Sequence, residues 1–109
     1  MAQEPAQEEA APALSEELLL EMSEKMEGFL SELTELSEDI PQTKTANALA
    51  AVRRRLTSLN VRWDAYNTLM QMDIAQSELL MELVAQFQTT QQQVTEAMDQ
   101  QQLVLEAIV

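Results

Sequence analysis

Chemistry near neutral pH needs a proton carrier, a nucleophile or a cation cage, and in this sequence only carboxylates and guanidiniums are at hand to supply one. The 109 residues contain no His and no Cys, which removes the imidazole, the thiolate and the common nitrogen and sulfur ligands of zinc. Carboxylates are plentiful, and Glu17 with Glu21, or Glu32 with Glu35, recur at spacings that share one helical face. A di-iron helical bundle would need Glu-x-x-His motifs beside such pairs, and an EF-hand would need alternating oxygen ligands around a Gly; neither pattern is present. No Ser stands in a nucleophile motif and no Gly-rich loop could cradle a phosphate. These residues therefore read as a solvated acidic surface: the sequence excludes most enzyme classes, and no catalytic residue, cofactor or metal is expected.

The cations are fewer and more concentrated. Arg53, Arg54 and Arg55 form the single basic cluster, with Arg62 two turns on. Three consecutive residues of a helix point in three directions, so they cannot all clasp one phosphate. The formal net charge of −13 further opposes binding to DNA, RNA or an anionic membrane, each of which requires a positive surface. Pairing with acids of a neighbouring helix is the better use of these guanidiniums. Residues 14–40 hold nine acidic residues against Lys25, a balance of −8, whereas residues 43–72 hold Lys44 and four Arg against Asp64, a balance of +4. The two segments are matched for an antiparallel pair.

Positioning falls to the helices that carry these charges. Within residues 49–70, Leu49, Val52, Leu56, Leu59, Trp63, Tyr66 and Met70 follow a 3-4-3-4-3-4 spacing, a stripe along one side of a helix that serves either as core or as a seam for a partner. With Leu49 in an a position, Arg53 is e and Arg55 and Arg62 are g, the positions that flank a seam and reach acids on a neighbour. The same spacing recurs in Leu19, Met22, Met26, Phe29, Leu33, Leu36 and Ile40, widened by Leu18 and Leu30. Ser15 can cap this helix, with Leu14 and Leu19 placed as a hydrophobic staple. Pro41 ends it. Gly28 lies off the stripe, where it either permits a close helix approach or is simply tolerated at about 1 kcal/mol. Trp63 and Tyr66 read as core aromatics, with Asp64 and Asn67 near enough to serve their polar atoms. Seven Met, several on the stripes, suit an adaptable core or contact surface.

Before the first helix, residues 2–13 hold two Pro, three Glu and no large apolar side chain. They read as a disordered acidic tail, and they resemble the start of a secreted chain after leader removal. Both cytoplasmic and periplasmic or secreted locations remain open. After residue 42 there is neither Gly nor Pro. A capping box at Asp73 and Gln76, or a cap at Ser77, places a break near 72–77. Helices are thus expected at about 15–40, 43–72 and 74–107. Without the break, one continuous helix from Gln42 to the end would form a hairpin that depends on an oligomeric coiled coil. The third stripe runs through Leu80, Leu83, Val84 and Phe87, is interrupted at Thr90 and Gln91, and resumes at Val94 and Met98. Eight Gln between 86 and 102 make a neutral face, either low-complexity drift or a contact surface in an oligomer. The closing LVLEAIV is apolar enough to pack on a partner.

With one Gly and three Pro in the whole chain, β-hairpins lack their turns, and the expected fold is an all-α antiparallel three-helix bundle. No apolar run reaches the roughly 20 residues of a membrane span. The expected role is non-catalytic protein–protein interaction or assembly, with a protein partner or a second copy. A small acidic chaperone or scaffold that holds an apolar helix of a client, and an extracytoplasmic segment of a larger envelope assembly, are the alternatives. In its heptads and helix spacing the chain resembles spectrin-like three-helix bundles and small helical secretion chaperones, without a family-specific motif.

Overall fold

A computed structural model describes residues 14–108; the expected disordered tail lies outside them. The described chain forms α1 (Glu16–Asp39), a 3-10 turn (Ile40–Gln42), α2 (Ala46–Leu69), a single-turn α3 (Gln71–Ile74) and α4 (Glu78–Ile108). It is an all-α helical bundle built on three long helices.

Side-chain pairs across the bundle give its directions. Arg55 reaches Asp39 and Arg62 reaches Glu32, so α2 runs antiparallel to α1. Arg53 reaches Asp99 while Trp63 stacks on Phe87, so α4 runs antiparallel to α2. Gln101 donates to the carbonyl of Thr43, 58 positions earlier, and Phe87 follows Phe29 by the same interval; α4 is therefore parallel to α1. The stripes meet in one core. Met22, Met26, Phe29, Leu33, Leu36 and Ile40 enter it from the first helix and turn, Leu49, Val52, Leu56, Leu59 and Trp63 from α2, and Leu80, Leu83, Phe87, Val94 and Met98 from α4. Aromatic rings fill the middle: Trp63 lies flat on Phe87 with centroids 3.9 Å apart and meets Phe29 edge-on at 5.7 Å, geometries that add to simple area burial.

The helix ends follow local chemistry. Ser15 Oγ accepts from the Leu18 amide at 3.0 Å, and Leu14 and Leu19 both pack against the core. α2 begins at Ala46 rather than near 43, because Thr45 Oγ1 accepts from the Ala48 amide while Thr43 is buried, its hydroxyl donating to the Ile40 carbonyl at 2.7 Å. The continuous helix from position 42 is overturned. The chain leaves helical geometry at Met70, with φ −102° and ψ 13°, and turns so that Ile74 is buried under the end of the core. The capping box at Asp73 and Gln76 does not form: Asp73 lies inside α3 and its backbone carbonyl accepts the Gln76 amide. Ser77 caps α4 instead, Oγ accepting from Leu80 at 3.3 Å.

Gly28 faces open space, with nothing within 4 Å of the position a Cβ would take. No helix approaches it closely.

Candidate functional site

The seam is consumed within one chain. Leu49, Val52, Leu56, Leu59 and Trp63 are buried, and Tyr66 and Met70 are half-buried against the same core. Burial, reinforced by Glu21 and Asp73, raises the Tyr66 hydroxyl above its ordinary pKa of 10.0. Asn67 donates to the Trp63 backbone carbonyl at 2.9 Å.

The guanidiniums divide between two neighbours. Arg62 grips Glu32 with two hydrogen bonds of 2.9 and 3.2 Å, and Arg55 meets Asp39 at 2.8 Å. The Arg62 hydrogen bonds hold the Glu32 carboxyl below its ordinary 4.5 and in turn raise the guanidinium. Arg53 turns instead to α4, where it donates to Asp99 at 3.2 Å and Gln102 at 2.8 Å. All three pairs are substantially exposed, so each contributes about 0–1 kcal/mol and acts chiefly on orientation. Arg54 projects into solvent.

An apolar surface left open for contact lies at the end of α4. Because Gln101 sits level with Thr43, the last seven described residues of α4 run past the turn that follows α1, by about 10 Å at 1.5 Å per residue. Only the first turns of α2 accompany them. Between the two helices opens a groove of about 390 Å³, walled by Ala46, Leu49 and Ala50 on one side and Leu105 and Ile108 on the other. Lys44, Thr45, Arg53, Gln102 and Glu106 complete its lining. Ile108 is 73% exposed, and Leu103 and Val104 beside it are also exposed. Among the described residues the cross-section here has two helices where the rest of the bundle has three, and a third helix would cover this apolar surface.

Comparison with protein-family models, with curated proteins and with solved structures finds no similar protein. Among the described residues no three His, Cys, Asp or Glu side chains converge in a metal-holding group, and no helix is long and apolar enough to cross a membrane.

Sequence reasoning missed Ala46 and Ala50 as groove residues, whereas Leu105 and Ile108 belong to the closing LVLEAIV that reads as a partner-facing turn. For the latter pair a further signal existed: Val94, Gln101 and Ile108 continue the α4 stripe at intervals of seven, with Leu105 beside them. Thr90 and Gln91 are half-buried, so they hold the stripe in register where the spacing of apolar residues suggested an interruption.

Proposed function

We propose that this chain is a non-catalytic protein–protein interaction module that receives an apolar helix of a partner at the two-helix end of its bundle. One observation carries the reading: α4 outruns α1, which leaves the groove between residues 46–50 and 105–108 with apolar walls and no third helix. Helix-in-groove recognition uses such a surface, with anchors on one face of the incoming helix seated between two others. Leu105 and Ile108 fall three positions apart, matching the ridge spacing of a packed helix. A client held in transit and a permanent subunit would both fit; they differ in lifetime, not in the chemistry of the seat.

Site-specific photo-crosslinking in the source cell tests this reading. A photoreactive residue at Ala50 is expected to give a discrete protein adduct that disappears with Leu105→Glu. The same residue at Glu24, on the exposed side of α1, is expected to give none. Equal adducts from both positions, or none from Ala50, would overturn the groove as the contact site.

A further inference from the structure

The exposed flank of α4 carries a second stripe that neither the core nor the groove uses. Leu79, Glu82, Gln86, Thr89, Gln93, Glu96, Gln100 and Leu103 follow one another at intervals of three and four, and all are exposed. We infer that this flank pairs two copies of the chain in antiparallel fashion about a two-fold axis near Gln91, which extends the interaction reading above to a second surface.

Charge makes the argument. A molecule of net charge −13 repels its own copies, and α1 alone displays most of nine carboxylates from residues 14–40. Residues 85–95 of α4 carry no charged side chain. This neutral stretch covers about 16 Å of helix at 1.5 Å per residue, longer than the roughly 8–10 Å over which salt screens exposed charges at physiological ionic strength. Two copies can therefore meet here without setting like charges against each other at the axis.

The direction follows from the two glutamates in the stripe. In a parallel pairing each would face its own counterpart, Glu82 against Glu82 and Glu96 against Glu96. Reversing one copy about Gln91 sets Glu82 against Gln100, Glu96 against Gln86, and Thr89 against Gln93. Every carboxylate then meets a primary amide, which can donate to it. The same pairing already forms along this helix, where Gln92 donates to Glu96 at 3.4 Å and Gln102 to Glu106 at 3.2 Å. At both ends of the stripe, Leu79 of one copy meets Leu103 of the other. Both leucines are about half exposed in the single chain, at 47% and 59%. The surface is isologous: each residue's counterpart is supplied by the same stripe on the second copy.

Sedimentation of the full chain over a hundredfold concentration range reads the pairing directly. A reversible monomer–dimer equilibrium is expected. The double variant Gln86→Arg/Gln100→Arg sets each new guanidinium opposite a glutamate of the second copy and should tighten the dimer about tenfold at physiological salt. The reverse change, Gln86→Glu/Gln100→Glu, should weaken it by a similar factor. In a parallel dimer the arginine variant would instead face like charge and dissociate, so weakening by arginine overturns the proposed geometry. A monomer at every concentration, or a dimer indifferent to both variants, overturns the proposal outright. Leu105→Glu serves as the separating control: it should leave the dimer intact. Loss of the dimer by that variant alone would move self-association to the groove, which refutes the α4 pairing while leaving the interaction reading in place.

Discussion

Replacing Trp63 by Ala removes the centre of the aromatic layer, and its cost can be worked from the packing. Trp63 is only 5% exposed, and an aromatic side chain of its kind buries about 150–250 Å². At roughly 25 cal/mol per Å² this is about 4–6 kcal/mol of transfer free energy, part of which the Ala methyl retains and part of which relaxation recovers. Loss of the stack on Phe87 and of the edge contact with Phe29 acts in the opposite direction, at about 0.5–1.5 kcal/mol per pair. The expected net loss is about 3–5 kcal/mol, a large share of the roughly 5–15 kcal/mol typical of a small domain. Chemical denaturation followed by far-UV circular dichroism measures it. Fluorescence serves only the parent protein, since Trp63 is its one tryptophan. A double-mutant cycle with Phe87→Ala should give a coupling of about 0.5–1.5 kcal/mol. A loss below about 1 kcal/mol for Trp63→Ala would refute the reasoning and return Trp63 to the surface.

Three further outcomes test other parts of the fold. Gly28→Ala should stabilise by about 1 kcal/mol, because the added methyl meets open space; thermal unfolding should rise by about 4–8 °C, and an unchanged or lower midpoint would show a neighbour not seen here. Ser77→Ala should cost about 1 kcal/mol through loss of the α4 cap, whereas Asp73→Ala should change little; the reverse order in urea midpoints would restore the capping box. Glu32 has a depressed folded pKa, so its contribution is present above the unfolded value near 4.5 and is lost as pH falls through the folded one. Glu32→Gln should therefore cost up to about 1 kcal/mol at pH 7, the screened worth of an exposed pair, and nothing once both carboxyl states are protonated. A gap that persists at pH 2 would assign the effect to packing.

Local periodicity made much of the fold legible. Stripes repeating every three and four residues mark the buried face of each helix in the sequence, and their core positions are buried in the structure. Ser15, Pro41 and the absence of turn residues are equally local signals, because a cap or a stop depends on the few residues around it. Sequence reasoning faltered where the choice was between distant partners. Arg53, Arg54 and Arg55 leave the helix in three directions, and the opposite charge balance of the first two helical segments assigned the cluster to α1. Only the closed bundle sends Arg53 to α4, Arg55 to α1 and Arg54 to water.

The break after Met70 shows the same division at the level of the backbone. Asp73 with Gln76 and Ser77 were both competent caps by sequence, since each offers an acceptor at the right spacing. Burial of Ile74 under the core decided between them, and that burial exists only once three helices have met. The groove is likewise a product of register. The lengths of α1 and α4 are written in their stripes and stops, but their relative height is set by the match of Phe29, Trp63 and Phe87 in one layer and of Gln101 to the Thr43 carbonyl. The sequence by itself determined which faces are apolar and about where each long helix falls; the tertiary structure decided where the chain breaks after Met70 and which faces remain uncovered, because exposure is a property of how elements of unequal length are stacked.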